Sequence, residues 1–207
     1  PARGIKLLND INHTRGSWQH DRIRYDRNPD ELAAAIMDIM DGKRRIFDFS
    51  DQYQHINPSK VLCFDVETTG QNPNTDEIIQ LSIMDGNGKT LFNEYVKPTK
   101  TEEWADAQTV HGISPEDVKD KETFDKHLPR INRIFNNAEL LVGYNHEWFD
   151  IPFLKTAGVN IADDTKTFDV MHQFSPIYGQ WDDEKNRFKW QKLSTCAEYY
   201  GYQAEGG

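Results

Sequence analysis

Between residues 61 and 68 the chain reads Val-Leu-Cys-Phe-Asp-Val-Glu-Thr, with Leu62, Phe64 and Val66 on alternate positions. Side chains alternate between faces along a strand, so this spacing predicts a strand with one face in a core. Residues 77–85 and 90–98 read as two further strands, and the Asp-Gly-Asn-Gly-Lys run between them reads as a turn. Two short helical stretches are predicted around 101–108 and 114–119. Phe124, Leu128, Ile131, Ile134 and Phe135 then recur at helical spacing and predict an amphipathic helix ending near Asn137. Residues 139–145 read as a buried strand, 148–157 as a helix stopped by Gly158, and 166–171 as a short strand. A final helix is expected within residues 189–202, with Leu193, Cys196, Ala197 and Tyr200 on one face. Strands in a hairpin-linked row, followed by alternating helix and strand, predict an α/β fold. Its sheet is expected to be mixed, with antiparallel hairpin strands plus parallel strands, and flanked by helices.

The chain ahead of this pattern is different. Residues 1–28 are polar and carry no clear period. Asn28-Pro29-Asp30-Glu31 has the form of a helix start, and Leu32, Ala35, Ile36, Ile39 and Met40 follow at helical spacing up to Gly42. Asn57-Pro58-Ser59 then reads as a turn. The expected division is an N-terminal extension or small accessory domain over 1–59 and a main domain over 60–207.

Composition narrows the function classes. The chain has 207 residues and no apolar run of the roughly 20 residues that a membrane span needs. Cys63 and Cys196 are its two cysteines, too far apart for zinc-ligand spacing, and are expected to be half-buried thiols in a reducing, cytoplasmic setting. Residues 1–60 are near neutral, whereas residues 61–207 carry 14 Lys/Arg against 25 Asp/Glu. A surface that binds nucleic acid through its own positive charge is therefore not expected, and action on a polyanion needs cations or local basic patches.

Asp65 and Glu67 change the picture of the first strand. Residues two apart share a face, so two carboxylates project side by side near an apolar sheet. They repel, and burying them is costly unless something neutralises them. A divalent cation with oxygen ligands does so. The alternative is a strand with one solvated face. Gly88-Lys89-Thr90 resembles the end of a phosphate-binding loop, but Ile83 stands where that loop requires glycine. A second acid, Asp150, falls on the first turn of the helix after strand 139–145, where an acid commonly serves the helix dipole.

Three stretches, FDVETTG (64–70), TVHGIS (109–114) and NHEWFDIPFL (145–154), resemble in that order the motifs of the DEDD, DnaQ-like 3′→5′ exonuclease family. The resemblance covers about residues 60–203. It implies a ribonuclease H-like fold and hydrolysis of phosphodiester bonds at the 3′ end of DNA or RNA. It also implies two divalent cations, Mg2+ or Mn2+, held by Asp65, Glu67 and Asp150 as catalytic and metal-binding residues. Thr68, Thr69, His111, Asn145 and Phe149 are implied to meet the substrate, Asn145 and Phe149 by their match to an N-x-x-F-D pattern. Asp169 is expected to be structural or supporting. Two metal ions suit this chemistry, because they can activate a nucleophile, relieve phosphate charge and stabilise the leaving oxygen. Carboxylates favour Mg2+ or Mn2+ over softer metals.

The family's third motif supplies a fourth acid, with a His or Tyr four or five residues before it. After Tyr199, Tyr200 and Tyr202 the chain reads Gln203-Ala204-Glu205-Gly206-Gly207, which provides neither pattern. The general base is thus unassigned, and truncation at the C-terminus is the expected reason. His146, four residues before Asp150, is a surrogate only if it points at the site; a surface position is expected for it. Trp104, Trp148 and Phe149 are candidates for stacking on bases, with core packing the expected role of Trp148 and Phe149. Trp181 and Trp190 fall in a polar loop with no readable role. Expected partners are single-stranded or 3′-ended nucleic acid and a polymerase, as for a proofreading subunit of the DNA polymerase III epsilon type. The competing reading is a degenerate nuclease-fold module that binds nucleic acid or a polymerase without cutting.

Overall fold

The computed structural model describes residues 56–202. The helix expected at 28–42 lies outside them. The chain divides into two compact units, Pro1–His55 with Gly179–Lys189, and Ile56–Tyr178 with Trp190–Gly207. In the first unit the described residues form a small hairpin of Trp181–Asp182 (β6) and Arg187–Phe188 (β7), with the Trp181 ring edge-on to Phe188 at 5.1 Å.

The second unit is built on a sheet of five strands. They are Val61–Thr68 (β1), Ile78–Asp85 (β2), Thr90–Tyr95 (β3), Leu140–Gly143 (β4) and Lys166–Asp169 (β5), in the order β3-β2-β1-β4-β5. The hairpin-linked β1, β2 and β3 pair antiparallel, while β4 and β5 join parallel to β1. This is the mixed, ribonuclease H-like arrangement expected. The helices are Ala105–His111 (α1), Pro115–Val118 (α2), Phe124–Phe135 (α3), Asp150–Thr156 (α4), Val170–Tyr178 (α5) and Leu193–Tyr199 (α6). Among the described residues no helix is long and apolar enough to cross a membrane.

Alternation in β1 does what the sequence requires of it. Leu62, Phe64 and Val66 are buried beside Ile131 and Phe135 of α3 and Phe153 and Leu154 of α4. Cys63 and Asp65 stand on the other face and reach solvent. Neither cysteine is half-buried as expected: Cys63 is exposed and Cys196 is buried, and both are free. The register of β1 on β2 shifts between Glu67 and Thr68, so Ile79 is an extra residue there. The resulting bulge re-aims Ile79 into a second cluster with Trp104, Ile113 and Val118. Trp104 is thus a core residue, its indole N–H donating to the Ile113 carbonyl at 2.8 Å, and is no base-stacking platform.

Three elements differ from expectation. Strand 139–145 stops at Gly143, because Asn145 adopts a left-handed φ of 63° that turns the chain away. The strand expected over 166–171 ends at Asp169, and helix α5 begins at Val170. Val170 and Pro176 conceal that helix in the sequence, while the Asp169 carboxylate accepts its first free amides. In α6, Cys196 is buried but Leu193 and Tyr200 are exposed, so the expected apolar face is narrower than the spacing indicates.

Candidate active site

The carboxyl ends of the parallel strands β1, β4 and β5 share one edge of the sheet, the usual place for a site in an α/β sheet. Asp65 and Glu67 stand near the end of β1, next to the bulge. Asp150 opens α4, two per cent exposed. Parallel pairing of β1 with β4 ends at Cys63 and Val142, so β1 runs on beyond its neighbour. There the Val66 amide donates to Asp150 Oδ1 at 2.9 Å. A carboxylate thus takes the place of the missing strand partner, and this bond brings Asp150 to the strand that carries Asp65 and Glu67.

Electrostatics tie the three acids together. Burial, then the charge of Asp65, push Asp150 up to about 7, against the opposing pull of the Val66 amide and His146. Burial raises Asp65 although it reaches solvent, and burial followed by the charge of Asp65 raises Glu67. No Lys or Arg among the described residues pairs with any of them. Their hard oxygen donors fit Mg2+ or Mn2+. They do not form a closed cage: among the described residues no three His, Cys, Asp or Glu side chains converge closely enough to hold a metal ion.

The other expected contacts divide into two groups. Thr68 and Thr69 are buried, and their hydroxyls serve the loop: Thr68 donates to the Gly70 carbonyl at 2.6 Å, and Thr69 accepts the Glu77 amide at 2.9 Å. His111 sits against the same loop, Nε2 lying 3.2 Å from the Thr68 carbonyl while Nδ1 accepts the Ile113 amide at 3.0 Å. With Nδ1 accepting, Nε2 is the nitrogen that can donate to that carbonyl. Phe149 is half-buried, its ring 5.1 Å from Phe153.

The turn before Asp150 departs from expectation. Three residues separate Asn145 from Phe149, one more than N-x-x-F-D allows. His146 is fully buried rather than on the surface, its ring edge-on to Phe64 at 5.6 Å. Gly143 makes the space, since a Cβ there would stand 2.7 Å from that of His146. Phe149 and Phe153 fill the core instead of Trp148, which is 61% exposed. Sequence reasoning also missed Glu77, whose carboxylate gathers the amides of Thr99, Lys100 and Thr101 and the Thr99 hydroxyl. Its one signal is an acid just before a strand.

A family model for exonucleases, RNase_T, matches residues 62–203. The chain belongs to this family, which makes its main domain one of the nuclease class. It is 28% identical over 152 residues to an uncharacterized exonuclease, CP81, of Escherichia phage 186, a match covering 70% of this chain and 77% of that one. It is 29% identical over 140 residues to RNA exonuclease 4 of Mus musculus, covering 66% of this chain and 32% of the relative. Among solved structures, E. coli exonuclease I in complex with a dA16 oligonucleotide superimposes with a TM-score of 0.55 at 19% identity, over 70% of this chain and 36% of that one. The match therefore spans about a third of the mouse and E. coli proteins.

Proposed function

We propose that the domain over 60–207 is a metal-dependent 3′→5′ exonuclease, removing nucleotides from the end of a single strand. The observation that carries this is Asp150: a buried acid bonded to the Val66 amide and pushed up by Asp65, with no Lys or Arg of the described residues paired to it. Asp65, Glu67 and Asp150 would hold two divalent cations, Mg2+ or Mn2+. When bound, such ions supply charge relief at the phosphate and activation of the attacking water. The protein's own part is to hold three carboxylates at one sheet edge and to close its interior behind them. His111 keeps the 68–70 loop against α1. With Asn145 and Phe149 it would be a contact for the terminal nucleotide. Neither His111, with both nitrogens engaged, nor the enclosed His146 is a free general base, and we assign none.

The phage and mouse relatives support exonuclease activity, and the oligonucleotide in exonuclease I supports a single strand as substrate. Nothing observed supports the polymerase partner. The test is digestion of 5′-labelled single-stranded DNA and RNA with Mn2+ or Mg2+. A ladder shortening from the 3′ end, abolished by EDTA, is expected, and the faster substrate identifies the sugar. Binding of both strands without any cutting would instead favour the degenerate binding module.

A further inference from the structure

The site depends on how Asp150 is delivered, and the delivery traces back to a carboxylate outside the three acids. β4 pairs with β5 up to Gly143 and Asp169, and then the chain must reverse into α4. Reversal strands backbone amides in a half-buried turn, where an unpaired donor is costly. Asp169, two per cent exposed, collects them. Its Oδ1 accepts the Asn145 amide at 3.0 Å and its Oδ2 the Glu147 amide at 3.5 Å. The same Oδ2 lies 3.5 Å from Nδ1 of the buried His146. Burial alone would raise the Asp169 carboxyl, but the His146 and His172 rings and the Asn145 amide beside it hold it below its usual range. The Glu147 side chain is bonded in turn to the Thr167 hydroxyl of β5.

The turn so fixed makes the start of α4. The Asn145 carbonyl accepts the Phe149 amide at 3.2 Å, and the His146 carbonyl accepts the Ile151 amide at 2.9 Å. Asp150 sits between these two residues, bonded to Val66. Every link from Asp169 to Asp150 is thus a hydrogen bond or one peptide step. We propose that Asp169 is the positioning residue for Asp150, shaping the 145–149 turn so that the Asp150 carboxylate reaches the Val66 amide beside Asp65. This deepens the exonuclease reading and rests on it only for the consequence in metal binding. The competing role for Asp169 is to cap α5 through the Met171 and His172 amides, at 3.0 and 3.4 Å.

Amide hydrogen exchange separates the two roles. It is measured on the full chain in EDTA without nucleic acid, for wild type, Asp169→Ala and Asp169→Asn. Positioning predicts that the Val66 amide loses about tenfold more protection than amides elsewhere in β1 and β2. Asp169→Asn keeps the shape and one acceptor, so it folds where Asp169→Ala fails and loses less protection. Direct Mn2+ binding is followed by electron paramagnetic resonance, and affinity is expected to fall about tenfold or more in Asp169→Asn. In activity assays the Mn2+ requirement rises while KM for the oligonucleotide stays within about threefold. Loss of protection spread evenly over the sheet, or confined to the first amides of α5, would overturn the proposal. The exchange result stands even if wild type proves unable to cut, so failure here is distinguishable from failure of the exonuclease reading.

Discussion

Asp150 ionises against two costs, removal of water from its carboxyl and the neighbouring charge of Asp65, and together they push it from 3.8 to about 7. A carboxyl raised on folding contributes its stability in full below the unfolded value and loses it as pH rises through the folded one. Without divalent cation, the protein is therefore expected to lose about 2–4 kcal/mol between pH 4 and pH 8. Calorimetry in EDTA should show Tm falling over that window, with the slope flattened in Asp150→Asn and reversed by Mn2+. A Tm independent of pH in wild type would mean that the acid is not strained. Trp148 gives a second prediction at this scale. It is exposed two residues from the acid, and stacking on a base contributes about 1–3 kcal/mol. Trp148→Ala should thus weaken binding of a single strand by at least about fivefold in a fluorescence anisotropy titration with Asp150→Asn as background. Asp65 and Glu67 were legible because a strand reports its faces through alternation. His146 and Trp148 were not, since a turn has no period: which residue goes inward is decided by Gly143 leaving room and by Phe149 and Phe153 occupying the core.

At the scale of elements, the 99–101 segment is held by a carboxylate, that of Glu77. Burial works to raise Glu77, but the Thr99 hydroxyl and the Thr99, Lys100 and Thr101 amides outweigh it and hold the carboxyl at about 2. A lowered carboxyl contributes stability above its unfolded value, here 4.5, and loses it as pH falls toward 2. Glu77→Gln should cost about 1–2 kcal/mol at pH 7 after discounting for its partial exposure, and the gap to wild type should close in acid. Urea titrations at pH 7 and pH 3 check both parts; an equal gap at the two values would remove the ionic contribution. Because Glu77 also donates its amide to Thr69, the variant is expected to raise KM more than it lowers kcat. The strands and α3 were readable from period alone. Helix α5 was not, because its capping acid looks like one more strand residue and Val170 and Pro176 speak against a helix.

The whole molecule is acidic, with a formal net charge of −10, and the exonuclease domain holds the excess. A polyanion should therefore bind it weakly through ordinary electrostatics and depend on divalent cation instead. Removing Mn2+ is expected to reduce single-strand affinity by about tenfold or more, a larger effect than raising monovalent salt from 50 to about 200 mM. The mixed sheet and the order of the three motifs were visible in the sequence because each motif begins or ends on a regular element. The bond from the Val66 amide to Asp150 was not, since the two groups lie 84 residues apart and meet only in the fold. The most direct test of the account compares wild type and Asp150→Asn on one 5′-labelled strand in Mn2+, with cutting and binding measured together. The account predicts that at saturating Mn2+ the variant still binds, to within about threefold, while cutting from the 3′ end falls by about a hundredfold or more. Unchanged cutting by Asp150→Asn would contradict the central role given to this acid.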